Sequence, residues 1–206
     1  MNYPSKLIGD AVAEFKKLPG IGEKTALRLV LHLLKQDSAK VENFSSVIAT
    51  MRSQTKFCIT CHNISDHTTC SVCANPMRDK GSVCIVETIR EVIAIENTGV
   101  YNGTYHVLNG LISPLNGITP DQLNIDSLIS RIREQEVKEV IMALSPTIDG
   151  DTTIFYISKK VQSMGVQITS IARGISFGGE LEYTDELTLG RSIATRMPYE
   201  SYLVKN

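Results

Sequence analysis

Four of the five cysteines occur as two close pairs, and this spacing is the most specific chemical signal in the chain. Two residues separate Cys58 from Cys61, and two separate Cys70 from Cys73. Such spacing lets both sulfurs of a pair reach one ion, and two pairs complete a tetrahedral thiolate site. Only residues 62–69 lie between the pairs. We therefore predict a compact zinc knuckle in which these four cysteines hold one structural Zn²⁺ per chain.

Other uses of these thiols remain open from the sequence. An iron–sulfur centre also takes four cysteines, and two redox-active dithiols would show the same spacing. His62 and His67 lie between the pairs and could each replace a cysteine, but four thiolates already suffice for zinc. The fifth cysteine, Cys84, lies in a predicted strand, where we expect a small buried apolar residue.

A second signal is the glycine pair Gly20 and Gly22, which flanks a single apolar residue between two predicted helices. Glycine accepts a positive φ without steric cost, so the pair predicts a tight turn. The turn leaves backbone N–H groups open at the start of the next helix, where phosphate binds readily. Four basic side chains of that helix fall within an arc of about 80°, at Lys24, Arg28, His32 and Lys35.

This combination is similar to the helix-hairpin-helix of DNA-binding proteins, which contacts phosphates without reading bases. We predict that Gly20, Gly22, Lys24 and Arg28 bind DNA. The alternative is an ordinary helical hairpin with a solvated lysine face.

Three carboxylates follow predicted strands. Glu87 follows one strand, and Asp149 and Asp151 follow another. Because the carboxyl ends of parallel strands meet at one edge of a sheet, we expect these acids to converge there. The arrangement resembles the Toprim fold, in which a glutamate and an Asp-x-Asp pair bind Mg²⁺. Alternatively, the acids stabilise the first turns of helices that start at Thr88 and Thr152.

The elements that position these residues follow from hydrophobic periodicity. Residues 6–51 show helical spacing, and from residue 82 onward short apolar segments alternate with amphipathic ones. The predicted strands are Val83–Val86, Thr104–Leu108, Glu139–Leu144 and Val166–Ile171. The predicted helices are Thr88–Glu96, Asp121–Gln135, Thr152–Met164 and Asp185–Thr195. Such alternation favours a mostly parallel sheet covered by helices.

The predicted fold class is α+β in several parts. Residues 1–56 form a helical, helix-hairpin-helix DNA-binding region, and residues 57–80 form the zinc knuckle. A Toprim-like α/β domain with a mostly parallel sheet occupies residues 81–175. Residues 176–206 form a C-terminal segment with a glycine-rich loop, a helix and a tail, which packs on the Toprim-like domain or on a neighbouring subunit.

Charge is distributed unevenly along the chain, although the formal net charge is only −1. Residues 1–57 hold nine Lys or Arg against five Asp or Glu, a balance of +4. Residues 58–80 hold two of each, and residues 81–206 hold ten against fifteen, a balance of −5. This asymmetry indicates a basic module joined to an acidic one, so a nucleic-acid partner is compatible with the neutral total.

Composition and motifs exclude several classes of protein. With 42% hydrophobic residues the chain can bury a core, which argues against disorder. The longest apolar run, Val140–Leu144, is far shorter than the roughly 20 residues that span a bilayer. Asp10 and Glu14 lie where a signal peptide would be apolar, so we expect a cytoplasmic, nucleoid-associated protein without a membrane partner.

Motifs for catalysis are missing from the sequence. There is no Gly-x-x-x-x-Gly-Lys-Ser/Thr loop for ATP hydrolysis. Tyr183 and Tyr199 are candidate nucleophiles, but neither has a visible partner in the sequence that would activate it. We therefore expect no catalytic residues and no enzymatic activity.

The order of these parts resembles the RecR family of bacterial recombination mediators over essentially the whole chain. The hairpin segment Leu18–Ala26, the four-cysteine knuckle, the Toprim-like region and the C-terminal stretch Arg173–Arg191 carry the resemblance. It implies dimers and ring-like tetramers that act with RecO and RecF at single-strand gaps. It also implies help in loading RecA onto DNA coated by single-strand binding protein.

The resemblance assigns roles to individual residues as well. It implies that Lys24 and Arg28 contact DNA, and that the region around Glu87 and Asp149 lies near the surface that engages RecO. Many family members carry Glu-Gly-Glu at residues 149–151, so the aspartates here are more like a metal-binding Toprim site and make Mg²⁺ a candidate cofactor. The family often has proline at Ser176, and serine there is expected to loosen the loop.

Three functions follow as hypotheses. The first is a non-catalytic recombination mediator that forms an oligomeric clamp on single- and double-stranded DNA without sequence preference. The second is a Mg²⁺-dependent Toprim enzyme that cleaves or synthesises nucleic acid, and the third is a zinc-braced scaffold that binds only protein.

Overall fold

The structure, a computed structural model, describes residues 3–175 and 178–198. The chain divides into two compact units, Met1–Thr55 and Lys56–Asn206. In the part of the chain that the structure describes, no helix is both long and apolar enough to cross a membrane.

The first unit consists of three helices. They are α1 (Lys6–Lys16), α2 (Glu23–Leu34) and α3 (Ser38–Gln54). Val12 of α1 packs against Ala26 and Val30 of α2, and these three buried side chains form the centre of a small core. Asp37 caps α3 by accepting a hydrogen bond of 3.0 Å from the backbone N–H of Ala39. No residue of α3 is buried.

The second unit begins with the knuckle and continues into a four-stranded sheet. The knuckle contains β1 (Lys56–Phe57), β2 (Ile64–Ser65) and the short helix α4 (Ser71–Ala74), with β1 and β2 antiparallel. The sheet contains β3 (Asp79–Val86), β4 (Gly103–Val107), β5 (Glu139–Ala143) and β6 (Gln167–Ser170). All its neighbouring strands are parallel, in the order β4-β3-β5-β6. The predicted α+β class with a mostly parallel sheet is therefore confirmed.

Helices accompany the sheet along the chain. They are α5 (Ile89–Glu96), α6 (Ile125–Glu134), α7 (Ile148–Val161) and α8 (Glu186–Ala194). Short 3₁₀ turns occur at Pro114–Asn116, Pro120–Gln122, Gln162–Met164 and Leu181–Tyr183. Helix α7 begins before the predicted Thr152, because the Thr147 side chain caps it by accepting from the Gly150 N–H at 3.1 Å. Helix α6 begins after the predicted Asp121, because residues 120–122 form a separate turn.

The sheet has a core on each face, since successive side chains of a strand point to opposite sides. Val83 and Ile85 of β3 contribute to the larger core with α6 and α7, whereas Cys84 and Val86 contribute to the smaller core with α5. Cys84 is buried, as expected, and burial raises the pKa of its thiol to about 12.

Strand β4 lies at one edge of the sheet, and the described residues cover much of that edge. The backbone N–H of Val107 donates to the carbonyl of Cys61 in the knuckle at 2.8 Å. The carbonyl of Tyr105 accepts from Nη1 of Arg131 at 2.7 Å, and that of Gly103 accepts from Nη1 of Arg78 at 3.3 Å. These bonds occupy backbone groups that would otherwise offer a template for another strand.

Gly150 is the position where the fold leaves least room for a side chain. A Cβ atom at this buried position of α7 would lie 1.9 Å from the carbonyl oxygen of Ser145. We expect Gly150→Ala to lower the free energy of unfolding by about 2 kcal/mol or more, because backbone must shift to relieve the overlap. Urea denaturation followed by circular dichroism measures the loss.

Gly190→Ala is the matched control for this substitution. Gly190 lies inside α8 with nothing within 4 Å of its Cβ position. Alanine there is expected to be neutral or slightly stabilising, because it favours helix over glycine. Equal stabilities of the two variants would contradict the steric account of Gly150.

Candidate metal centre and nucleic-acid interface

The four paired cysteines come together at one point of the knuckle. The Sγ atoms of Cys58, Cys61, Cys70 and Cys73 all lie within 4.8 Å of one another, and the first three residues are buried. Within residues 3–175 and 178–198 they are the one group of three or more His, Cys, Asp or Glu residues arranged to hold a metal ion. A single group of four thiols fits a closed tetrahedral site and does not resemble two separate dithiols.

Local backbone bonds bring the two pairs into place. The Cys58 N–H donates to the carbonyl of Asn63 at 2.8 Å, and the His62 N–H donates to the carbonyl of Cys58 at 2.9 Å, which closes the first turn. At the second pair, Cys70 is the N-cap of α4 and its sulfur accepts from the Cys73 N–H at 3.4 Å. Backbone N–H donation to sulfur stabilises the thiolate that a metal requires.

The two cysteine pairs approach each other closely through one sulfur of each. The sulfurs of Cys61 and Cys70 are 3.6 Å apart. Hydrogen bonding from Cys61 lowers the pKa of the Cys70 thiol, and the same bond raises the pKa of Cys61. The two cysteine pairs therefore interact directly through these sulfurs.

The two histidines between the cysteine pairs are not part of the metal group. His67 is exposed, and His62 turns toward the sheet domain. Nε2 of His62 lies 2.8 Å from Oγ of Ser127 in α6, and its ring meets the His106 ring edge-on at 5.2 Å between centroids. His62 thus attaches the knuckle to the larger core, a role that no local sequence signal predicts.

The hairpin between α1 and α2 has the predicted turn, but only one glycine supplies its conformation. Gly20 has a φ of +78°, which favours glycine. Gly22 has φ −81° and ψ 169°, an extended conformation open to any residue, and nothing lies within 4 Å of its Cβ position. The turn therefore requires Gly20, whereas Gly22 keeps the start of α2 accessible.

The first turn of α2 offers uncapped backbone donors. Gly22 is its N-cap, and no side chain caps the helix. Glu23 is held toward α1 by hydrogen bonds from the Tyr3 hydroxyl at 3.0 Å and Nζ of Lys16 at 3.2 Å. The bond from Tyr3 and the one from Lys16 lower the pKa of the Glu23 carboxyl. The helix start can therefore accept an anion despite the acid beside it.

A cationic face continues from this helix start. Lys24, Arg28, His32 and Lys35 are all exposed, and with Leu27 and Leu31 they line a surface depression of about 450 Å³. The opposite side of α2 buries Ala26 and Val30. The predicted division of this helix into a basic side and a core side is confirmed, and the two leucines are an apolar addition that the charge pattern did not predict.

The structure does not gather the three candidate carboxylates into a metal site. Glu87 follows β3 and accepts a hydrogen bond of 3.0 Å from the Ser145 hydroxyl. Asp149 and Asp151 lie in the first turn of α7, and Asp151 pairs with Arg173 at 2.7 Å. The aspartates are placed where they stabilise a helix start, as the alternative interpretation expects. Glu87 does not cap α5, because Thr88 does so with a capping box.

The C-terminal segment contains the predicted helix start. Asp185 is the N-cap of α8 and accepts from the Thr188 N–H at 2.9 Å. No residue of α8 is buried. Ser176 and Tyr199, which the sequence singled out, lie outside the described residues.

Comparison with known proteins matches each part of the chain. Family models for the RecR helix-hairpin-helix match residues 8–52, for the Toprim domain residues 81–172 and for the RecR C-terminal region residues 174–197. The recombination protein RecR of Cytophaga hutchinsonii is 59% identical, over 98% of each chain. The chain belongs to the RecR family.

Other RecR proteins agree with this assignment. The RecR of Bacteroides thetaiotaomicron is 59% identical over 94% of this chain and 95% of its own. That of Flavobacterium johnsoniae is 54% identical over the full length of both chains. The resemblance found in the sequence is thereby confirmed, and the hairpin, the Toprim domain and the four-cysteine cluster of this RecR family member are in the predicted order.

Metal content tests the thiol cluster directly. We expect one tightly bound metal ion per chain in the wild type and loss of that ion in Cys70→Ser, because a hydroxyl does not replace a thiolate ligand. Elemental analysis of the dialysed protein measures the ratio. Cys84→Ala removes a buried thiol outside the cluster and is expected to keep the ion. Retention of a full complement in Cys70→Ser would remove this residue from the ligand set.

Proposed function

We propose that this RecR family member is a non-catalytic, DNA-binding mediator of recombinational repair. The observation that carries the proposal is the exposed cationic face of α2 beside an uncapped helix start. The names of its relatives, recombination protein RecR, support the same process.

DNA would be held by phosphate contacts alone. Open N–H groups at residues 23–25 and the side chains of Lys24 and Arg28 are donors of the kind that bind phosphate oxygens. Such contacts carry no base information, so binding extends to single- and double-stranded DNA without sequence preference. Gly22 matters here because a bare Cα permits close approach of a phosphate.

The metal in this proposal is zinc, held by Cys58, Cys61, Cys70 and Cys73. Bound zinc supplies a tetrahedral cross-link between the two turns of the knuckle. The chain supplies the rest, because the Cys61 carbonyl binds the edge of β4 and His62 binds α6, so the cross-linked knuckle braces the sheet.

Self-association would raise the DNA affinity. A single hairpin engages few phosphates, and several copies in one dimer or ring-shaped tetramer act through effective concentration. Apolar side chains are exposed on helices that bury nothing in the isolated chain, at Phe44, Val47, Ile48 and Met51 of α3 and at Leu187 and Ile193 of α8. These faces are the candidates for contacts between subunits, including the predicted packing of the C-terminal segment on a neighbour.

The acidic half of the chain would meet protein partners. Residues 81–206 carry a formal charge of −5, from ten basic and fifteen acidic residues. We place the RecO contact near Glu87 and Asp149, with RecF acting in the same assembly to load RecA at single-strand gaps. Partner binding fits these acids better than catalysis, since they do not form a metal group in the described chain.

Charge reversal on α2 tests the DNA interface. The double variant Lys24→Glu with Arg28→Glu is expected to weaken DNA binding at least about tenfold and to reduce the salt slope by about two, because two phosphate contacts are lost. Fluorescence anisotropy with labelled duplex and single-stranded DNA, across a salt series, measures both. Lys6→Glu with Lys40→Glu makes the same charge change at exposed positions of the same unit. Equal affinities of the two double variants would remove the cationic face from the mechanism.

Gapped DNA separates the mediator from the other two functions. End-labelled gapped DNA is incubated with pure protein, with and without Mg²⁺, and run on native and then denaturing gels. A shifted band whose strands keep their length is expected. Strands that change length only with Mg²⁺, and not in Asp149→Ala, would make the protein an enzyme. Absence of any salt-sensitive shift would leave a scaffold that binds only protein.

A further inference from the structure

Arg131 of α6 is a buried cation without an acidic partner. Its residue is only 5% exposed, and no carboxylate among residues 3–175 and 178–198 forms an ion pair with it. Burying an unpaired charge is costly, so a buried arginine normally faces an anion. A negative charge close to Arg131 would therefore be stabilised.

Three hydrogen bonds fix the guanidinium of Arg131 in one orientation. Nε donates to Oε1 of Gln135 at 3.1 Å, Nη1 to the carbonyl of Tyr105 at 2.7 Å and Nη2 to Oγ1 of Thr104 at 2.7 Å. All three acceptors are neutral. A guanidinium has five N–H groups, so two remain for another acceptor.

The guanidinium borders a small cavity beside the knuckle. The cavity has a volume of about 160 Å³ and is lined by Thr60, Cys73, Lys80, Thr104, Arg131 and Gln135. Two of these side chains are cations and none is a carboxylate. The sulfur of Cys73 is the one lining group that can carry a negative charge.

Cys73 is also the accessible member of the thiol cluster. Cys58, Cys61 and Cys70 are buried, whereas Cys73 is half-buried. Four thiolates around one divalent ion leave a formal charge of −2 on the centre. Arg131 and Lys80 together carry +2, and they border the same cavity as Cys73.

We propose that Arg131 and Lys80 are the charge partners of the metal–thiolate centre and act on it through the Cys73 sulfur. This inference rests on the proposed zinc. Arg131 is preorganised by its bonds to β4 and to Gln135, the C-cap of α6, and Lys80 adds an exposed charge at the same cavity. Both are positioning residues, since neither ligates the metal.

Two properties of the centre follow from this charge pairing. Nearby positive charge offsets the negative charge of the metal–thiolate centre, so zinc leaves more slowly. The same stabilisation makes the sulfur a weaker nucleophile, because nucleophilicity falls as the basicity of the thiolate falls. The pair therefore protects the one accessible sulfur from electrophiles as well as retaining the metal.

A free anion such as phosphate is the competing occupant of this cavity. It would have to approach a centre that already carries −2, so the pairing within the chain is favoured. If the cavity holds an anion, added phosphate should bind to it saturably. If Arg131 and Lys80 pair with the metal–thiolate centre, added phosphate should not bind there.

The test uses zinc-loaded, full-length protein and two rates. One is the release of zinc to a chromogenic chelator, and the other is the alkylation of Cys73 by iodoacetamide, followed by peptide mass spectrometry. In Lys80→Met we expect both rates to rise at least about threefold, and in Arg131→Met more than in Lys80→Met. Arg131→Lys, which keeps the charge, should restore part of the difference.

Lys138→Met is the matched control. Lys138 is exposed and shares a neighbouring surface depression with Lys80, but it does not border the cavity of Cys73. Its rates should equal those of the wild type. Since Arg131 also braces β4, Arg131→Met can lose its fold, and Lys80→Met then carries the test alone.

The outcomes separate the inference from the zinc proposal. One zinc per chain with unchanged rates in Lys80→Met overturns the charge pairing and leaves the zinc site standing. A wild-type protein without zinc, by elemental analysis, overturns both. Saturable binding of inorganic phosphate to the zinc-loaded wild type, lost in Lys80→Met, would assign the cavity to an exogenous anion and also overturn the pairing.

Discussion

The backbone bond between the knuckle and the edge of the parallel sheet organises the second unit. The Val107 N–H of β4 donates to the Cys61 carbonyl, so a cysteine of the thiol cluster and an edge strand belong to one hydrogen-bonded structure. Parallel sheets in α/β proteins are normally covered on both faces and remain vulnerable only at their edges. Here the knuckle and the side chains of Arg78 and Arg131 occupy one edge. The thiol cluster therefore helps to stabilise the edge of the sheet as well as the knuckle.

The two units differ in how much they bury and in where they place their charges. Among residues 3–55 of the helical unit, only Val12, Ala26 and Val30 are buried, and the cations lie in water, where they are available to phosphate. The sheet unit buries two larger cores and places its charges in specific pairs, such as Arg173 with Asp151. A small, exposed, basic unit is thus joined to a well-packed acidic one.

Features that depend on local spacing were predictable from the sequence, and features that depend on distant contacts were not. The cysteine pairs, the basic side of α2 and the parallel strands follow from short-range patterns, and the structure agrees with them. Helix α7 starts before the predicted Thr152, because the Thr147 side chain accepts a hydrogen bond from the Gly150 N–H. The contacts of Arg131 are not predictable from the sequence, because its partners Thr104 and Tyr105 are 27 and 26 positions away along the chain.

The acid-glycine-acid sequence at residues 149–151 resembles a metal-binding motif, but it lies at the start of a helix. Its central glycine is required by the close approach of the Ser145 carbonyl, and its acids face the dipole of a helix start. Either aspartate or glutamate satisfies that electrostatic preference, whereas only glycine satisfies the packing. A motif search that treats this triplet as a metal-binding signature would therefore be detecting a junction between a strand and a helix.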